Sequence, residues 1–482
     1  MPKIDLDIMI KTQTRIFYGL GGGVYAIKES AYAIFILLFY TQVLGLSGSV
    51  TGAIIAVSLL WDGISDPLIG SWSDRLRSRY GRRHPFMVYS TLPLAIGFIG
   101  LFSPPGNVVD SAPLLACWLL FWSLWVRTFI TIFAIPHLAL SAELTSDYHE
   151  RSQLMAIRLG VMFLVVLLLP AAALIFVFDT VQGVDGRFVP ENYVVYGLMS
   201  AVLAIFLSTI SVMGTRHHTS QPDLSGEQYK LPRLADYIGD VVQTFRNTAF
   251  RTMLGYEIAS AIGWGSFSTL NILVATYVFE FNADEMALVL AVPGLLGVLL
   301  VGILLKPLSR KWQKPQLLRI ALWGLLVNTL WLLPLKLAGM LPPNDSPLIL
   351  VLNLLSGTLL MFFFFLRTIN AMSIVADITD QHELEHGERK EGGFFSVMTF
   401  VLKISSLVGP LYGGIVLDVI GLKRHDLPGE IAEPVLAGLM YAVLLIVIPT
   451  LIIALRYAYK FEFSKEDMEG IQHSLRERQG ST

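Results

Sequence analysis

Val50-Thr51-Gly52-Ala53-Ile54-Ile55-Ala56-Val57-Ser58-Leu59-Leu60-Trp61-Asp62-Gly63-Ile64-Ser65-Asp66-Pro67-Leu68-Ile69 decides the reading of this chain. A run of about 20 apolar residues is long enough to cross a bilayer as a helix. Two acids nevertheless lie inside it, Asp62 and Asp66. A charge at membrane depth is costly, so it faces the protein interior or a water-filled cavity. The i, i+4 spacing places both carboxylates on one helical face. Pro67 has no N–H, which leaves the carbonyl of Gly63 without its helical partner. Two carboxylates, the Ser65 hydroxyl and a spare carbonyl on one turn make an oxygen-rich pocket suited to Na⁺ or a proton. The stretch therefore reads as a coupling-ion site inside a membrane span, the mark of an ion-driven transporter.

The rest of the chain agrees with a membrane reading. Hydrophobic residues make up 54% of its 482 residues and charged residues only 15%, against about 25% charged in soluble domains. Twelve apolar stretches are each long enough to span, at about 17–44, 49–71, 85–104, 112–141, 153–178, 192–213, 252–281, 284–305, 315–339, 346–376, 392–421 and 434–458. The segment ahead of the first span is polar with no cleavage-site pattern, so no removable signal peptide is expected. With both termini in the cytoplasm, about 26 of the 35 Lys and Arg fall in cytoplasmic segments, as the positive-inside rule requires. The expectation is a multi-pass protein of the cell membrane. The single cysteine, Cys117, excludes an internal disulfide and reads as a small apolar residue.

The polar connection from Arg216 to Arg251 contains Pro222, Gly226 and Pro232 and divides the chain. An N-terminal six-helix half over 1–215, a cytoplasmic loop over 216–251 and a C-terminal half with its tail over 252–482 are expected. The Leu234–Arg246 part reads as an amphipathic surface helix. The halves repeat at a constant offset. Gly70-Ser71-Trp72-Ser73-Asp74-Arg75 has its counterpart in Pro307-Leu308-Ser309-Arg310-Lys311, which is basic again but lacks the acid. Ala142-Glu143-Leu144-Thr145-Ser146-Asp147 has its counterpart in Ala376-Asp377-Ile378-Thr379-Asp380. Duplicated six-span halves around a midplane site are a transporter architecture, so the fold class is an all-α membrane protein of twelve helices.

Gly70-x-x-x-Asp74-Arg75 followed by Arg82-Arg83 resembles the signature between spans two and three of major facilitator transporters. Such a loop can act as a charge relay that closes the cytoplasmic ends of the helices in one conformer. Asp74, Arg75, Asp377 and Asp380 are therefore the candidate gate. Trp61-Asp62-x-x-Ser65-Asp66-Pro67-x-x-Gly70, together with Ala376-Asp377-Ile378-Thr379-Asp380-Gln381-His382-Glu383 through Gly387-Glu388-Arg389-Lys390-Glu391-Gly392, resembles the two long motifs of the glycoside–pentoside–hexuronide:cation symporters. Melibiose permease is the type member of that family. The resemblance covers nearly the whole chain. It implies cation binding by Asp62, Asp66, Ser65 and a span-four hydroxyl, Thr131, with Lys403 of span eleven nearby as counter-charge. Independently of it, Lys403 stands alone in an otherwise uncharged stretch and needs an anionic partner. Cation capture would change the charge balance of the site and so bias inward- against outward-facing states.

The family's sugar-binding carboxylates and tryptophan fall on Ala26, Ala134 and Leu138 in this chain, while its span-five arginine is matched by Arg158. That departure argues against a galactoside-like substrate. Other intramembrane charges stand instead: Lys28, Glu29, Arg127, Glu257 and Arg367. Arg158, Arg127, Glu257 and Lys28 are the substrate-contact candidates. Lys28 and Glu29 are adjacent and diverge around a helix, so mutual pairing is not expected. Arg127 and Arg367 have snorkelling to an interface as their alternative, and Phe362–Phe365 reads as packing or as an acyl or ring platform. The expected function is Na⁺- or H⁺-coupled symport of a small sugar-class solute. A Na⁺-dependent lysophospholipid transporter is the alternative, since Arg158 and Glu257 loosely fit the lysolipid-transporting relatives, and a non-transporting membrane sensor is the alternative of another class. No phosphate-cradling loop, nucleophile set or metal-ligand set appears; His382 and His386 read as a solvated pair. A monomer that is not an enzyme, with no cofactor, no metal beyond the coupling cation and no nucleic-acid partner, completes the expectation.

Overall fold

The computed structural model describes residues 11–76, 78, 80–145, 147–180, 185–216, 247–386, 391–422, 424 and 426–461, with a few positions of the C-terminal tail. The expected surface helix over Leu234–Arg246, His217, His218 and the Gly387–Lys390 part of the second motif lie outside the described residues.

Among the described residues, twelve helices are long and apolar enough to cross a membrane. They are α1 (Thr12–Val43), α2 (Gly48–Arg75), α3 (His84–Phe102), α4 (Ala112–Leu144), α5 (Tyr148–Phe176) and α6 (Pro190–Thr215), then α7 (Thr248–Val278), α8 (Ala283–Lys311), α9 (Lys314–Leu337), α10 (Pro347–His386), α11 and α12 (Glu433–Ala458). All twelve expected spans are present, with ends moved by a few residues. Two differ more. Helix α10 runs on to His386, well past the expected end at 376, and α11 consists of two pieces, Glu391–Ser406 and Val408–Ile420. Pro410 explains the interruption, because it offers no N–H to the carbonyl of Ser406.

The chain divides into two compact units, one built around α1–α6 and the other around α7–α12. In the first, α1 packs along α5 and α6. Gly22 permits that approach, since a Cβ there would fall 2.6 Å from the carbonyl oxygen of Arg158 on α5. The C-terminal end of α1 is held by a cluster of rings: Phe35 lies 4.4 Å from Tyr196 and Phe39 4.1 Å from Tyr193 between centroids. In the second unit, Phe250, Met253 and Tyr256 of α7 pack with Leu318 and Leu322 of α9, Ile374 and Ile378 of α10 and Ala454 of α12. Large apolar side chains on the outer faces remain open, Phe176 at 81% and Val419 at 79%, as expected of lipid-facing positions.

The internal repeat is visible in backbone detail. Helix α1 ends in a π-turn over Phe39–Val43 and α7 in one over Val274–Val278. Leu44 N–H donates to Phe39 O and Leu46 N–H to Tyr40 O; Phe279 and Phe281 make the same bonds to Val274 and Ala275. The linking residue has positive φ in both copies, Gly45 at 81° and Glu280 at 55°. The same turn is thus written once with glycine and once, in the second half, with glutamate.

Candidate cation and substrate sites

Helices α2 and α4 pack side by side in register. Asp62 meets Arg127 and Asp66 meets Thr131, and both pairs are 65 residues apart. One turn of each helix therefore builds one half of the site. On one turn the Thr131 hydroxyl donates to Asp66 Oδ1 at 2.9 Å, and the Ser65 hydroxyl donates to Thr131 Oγ1 at 3.4 Å. Asp62, Ser65 and Thr131 are buried. Packing thus brings Thr131, the hydroxyl the family resemblance implied, to Asp66 and Ser65, which the spacing set on one turn of α2.

On the neighbouring turn Asp62 is engaged by the protein itself. Arg127 Nη1 donates to Asp62 Oδ2, while Arg127 Nε donates to the Ser58 hydroxyl at 2.7 Å. The guanidinium lies 4.6 Å from the ring centroid of Tyr32 on α1. Arg127 is buried and so does not snorkel. The second carboxylate oxygen of Asp62, Oδ1, is buried with no hydrogen-bond partner among the described residues. Asp62 thus has a resident counter-charge on α4. Lys403 sits half-buried in the last turn of the first piece of α11, beside the interruption at Leu407.

At the α2–α3 loop, Asp74 pairs with Arg83 rather than with its neighbour Arg75, which is exposed. Arg83 also donates to the Ser73 hydroxyl at 2.6 Å and pairs with Glu143 at 3.0 Å; Arg82 adds a pair with Glu143 at 3.3 Å. In the second unit Lys314, at the start of α9, bonds both oxygens of Asp377 at 2.7 Å. Glu143 and Asp377 occupy equivalent positions in the repeat. The missing acid of the second loop is bypassed there, because the base at the start of α9 reaches the α10 acid directly. Asp380 lies half-buried one turn further along α10.

Among the substrate candidates, Arg158 on α5 donates from Nε to His137 Nδ1 at 3.4 Å, and His137 Nε2 lies 2.9 Å from the carbonyl of Tyr18. The Tyr18 ring stacks on the imidazole with centroids 4.6 Å apart. A backbone carbonyl can only accept, so Nε2 carries the proton and Nδ1 is free to accept from the arginine. His137 was missed from the sequence; the signal for it was a histidine one residue after Pro136 in a span facing Arg158. Lys28 and Glu29 do pair, at 2.6 Å, contrary to expectation. The lysine stem is long enough to curl around the helix to its neighbour, and its ammonium also lies 4.1 Å from the Tyr25 ring. In the second unit Arg367 donates to the Tyr256 hydroxyl at 3.5 Å, with Glu257 buried on the same turn of α7 as Tyr256. Arg367 is itself buried, so it too stays away from an interface.

Comparison with known proteins is consistent with this picture. A family model described as MFS/sugar transport protein matches residues 17–465. A putative glycoside/cation symporter of Escherichia coli strain K12, YagG, is 24% identical over 447 residues, covering 91% of this chain and 89% of that relative. A sodium-dependent lysophosphatidylcholine symporter of Danio rerio is 27% identical, but over 149 residues only, 31% of this chain and 27% of that relative. The crystal structure of the nucleoside transporter NupG superposes with a TM-score of 0.60 at 11% identity, covering 93% of this chain and 99% of that one, which shows a shared fold.

Proposed function

The chain belongs to the MFS/sugar transport protein family, and from that premise we propose that it is a secondary symporter in which Na⁺ or H⁺ bound at Asp62 and Asp66 drives a sugar-class solute across the cell membrane. The observation that carries the proposal is the α2–α4 cluster. Asp66, Thr131 and Ser65 form a connected oxygen chain, and the adjoining Asp62 keeps one carboxylate oxygen unspent. Arg127 acts as a built-in cation. When an external ion arrives, Asp62 exchanges a guanidinium for it, and the released charge reorganises α2 against α4. Ion binding then changes the relative energies of two conformers, which is the requirement for coupling. Lys403 is the second counter-charge, brought to the acids during the transport cycle.

The charge clusters at Asp74–Arg83–Glu143 and Lys314–Asp377 serve as gates, with Arg75 and Asp380 flanking them, and both termini face the cytoplasm. Arg158, held by His137, contacts the solute, with Lys28 and Glu257 as further contacts. The alanines at 26 and 134 and the leucine at 138 remove the carboxylates and ring that a galactoside would use. For that reason a uronide, or an amphiphile such as a lysophospholipid, is the second reading of the cargo. The experiment is Asp62→Asn in proteoliposomes. Gradient-driven accumulation should vanish while counterflow exchange of bound solute persists. Accumulation at wild-type level would refute the role of Asp62, and absence of counterflow in the wild-type protein with every solute tried would favour a non-transporting sensor.

A further inference from the structure

The second unit contains a cavity of its own. It lies among α7, α9, α10 and α12 and holds about 460 Å³ of empty space, the open solvent at its mouth included. Its apolar wall carries Trp264 and Phe364, stacked with centroids 4.0 Å apart, and Phe267. Its polar lining is one-sided. Arg367 is 9% exposed and Ser260 7% exposed, and both line the cavity. Arg367 Nε and Ser260 Oγ have no hydrogen-bond partner among the described residues. The two threonines of the lining have spent their protons, Thr329 on Leu325 O at 2.9 Å and Thr450 on Ile446 O at 2.8 Å. Two donors without a partner, one of them cationic, therefore belong to residues of the cavity wall.

An orphaned buried donor costs free energy, the more so when it is charged. Glu257 lies nearby, but among the described residues no ion pair joins it to Arg367 within 4.0 Å. Its carboxylate leaves the guanidinium N–H at Nε available. An acceptor that is itself anionic satisfies an arginine best, and the rings beside it call for an apolar body on the same molecule. We propose that this cavity binds an organic carboxylate with an apolar body, at a site built wholly from α7, α9, α10 and α12.

The test uses the purified full-length protein in a non-ionic detergent, with thermal stability as the readout. The probes are indole-3-acetate and octanoate, each set against its neutral alcohol, tryptophol or octanol. The carboxylates should raise Tm saturably and the alcohols should not. Arg367→Gln should weaken the apparent affinity by about tenfold or more, the loss of a charge-assisted hydrogen bond, and Ser260→Ala should weaken it less. Asp62→Asn should bind as the wild type does, which separates this pocket from the transport site. Preference for octanoate assigns a lipid-derived tail, and preference for indole-3-acetate an aromatic acid. If Arg367→Gln does not fold, Ser260→Ala and the difference in fluorescence quenching between wild type and Trp264→Phe decide. Equal stabilisation by acid and alcohol, or unchanged affinity without the arginine or serine donor, overturns the proposal.

Discussion

At the level of single residues, the chemistry turns on a carboxylate that already holds a cation of the protein's own. Removing one member of a buried pair typically costs about 3–5 kcal/mol, because the other charge is stranded. Asp62→Asn strands Arg127, whereas Arg127→Gln leaves a carboxylate that Na⁺ or H⁺ can neutralise. Arg127→Gln should therefore bind the coupling cation about tenfold more tightly or better, measured as cation-dependent thermal stabilisation. The double variant should be more stable than the two single losses added together. Unaltered cation affinity in Arg127→Gln would show that the arginine does not compete. Asp62 and Asp66 stood out by their spacing, whereas Thr131 came only with the family resemblance. The partnership of Arg127 was not, because it depends on the register between α2 and α4, and a lone span arginine can find an acid on several neighbouring helices. The pairing of Lys28 with Glu29 was missed for a different reason: angular separation on a helix limits short side chains, not a long flexible stem.

At the level of elements, close packing and turn chemistry supply the tests. Gly409 on α11 meets Gly265 on α7 backbone to backbone, so a Cβ at 409 would fall 2.5 Å from the Gly265 carbonyl carbon. Small residues are what allow such approach in membranes. Gly409→Ala should destabilise by about 1–3 kcal/mol in thermal melts, the usual range for overpacking. At Gly302 on α8 a Cβ would meet nothing within 4 Å, so Gly302→Ala should be neutral or slightly stabilising. Equal effects at the two glycines would contradict the packing described. Glu280 holds the left-handed turn that Gly45 makes in the other repeat. Relief of that strain in Glu280→Gly should stabilise by about 1 kcal/mol, read as a higher Tm. The spans themselves were legible, since apolar length alone marks them. The end of α10 was not, because its last turns are polar and leave the apolar stretch while remaining helical. The break in α11 had its signal in Pro410, which hydropathy does not register.

At the level of the whole molecule, twelve spans form two units that repeat one another. The repeat was visible in the acids at the ends of α4 and α10, and the structure extends it to π-turns, positive φ and salt-bridged helix ends. It also shows where the copies diverged: Arg83 reaches two acids, whereas Lys314 reaches one. What the chain carries is less legible than how it is built, because the resemblance implies a coupling site but sets Ala26, Ala134 and Leu138 where it would place the sugar-binding side chains. Arg83→Gln, which loses Ser73, Asp74 and Glu143 together, should slow transport without changing which solutes compete for it; an altered competition profile would place Arg83 in the substrate path. The most direct measurement is solute uptake into proteoliposomes under an imposed sodium or proton gradient, with sugars, uronides and lysophospholipids tried in turn. Uptake of at least one solute should rise with one inward cation gradient and fall to the exchange level in Asp62→Asn. Uptake indifferent to both gradients would contradict cation coupling at the α2 acids.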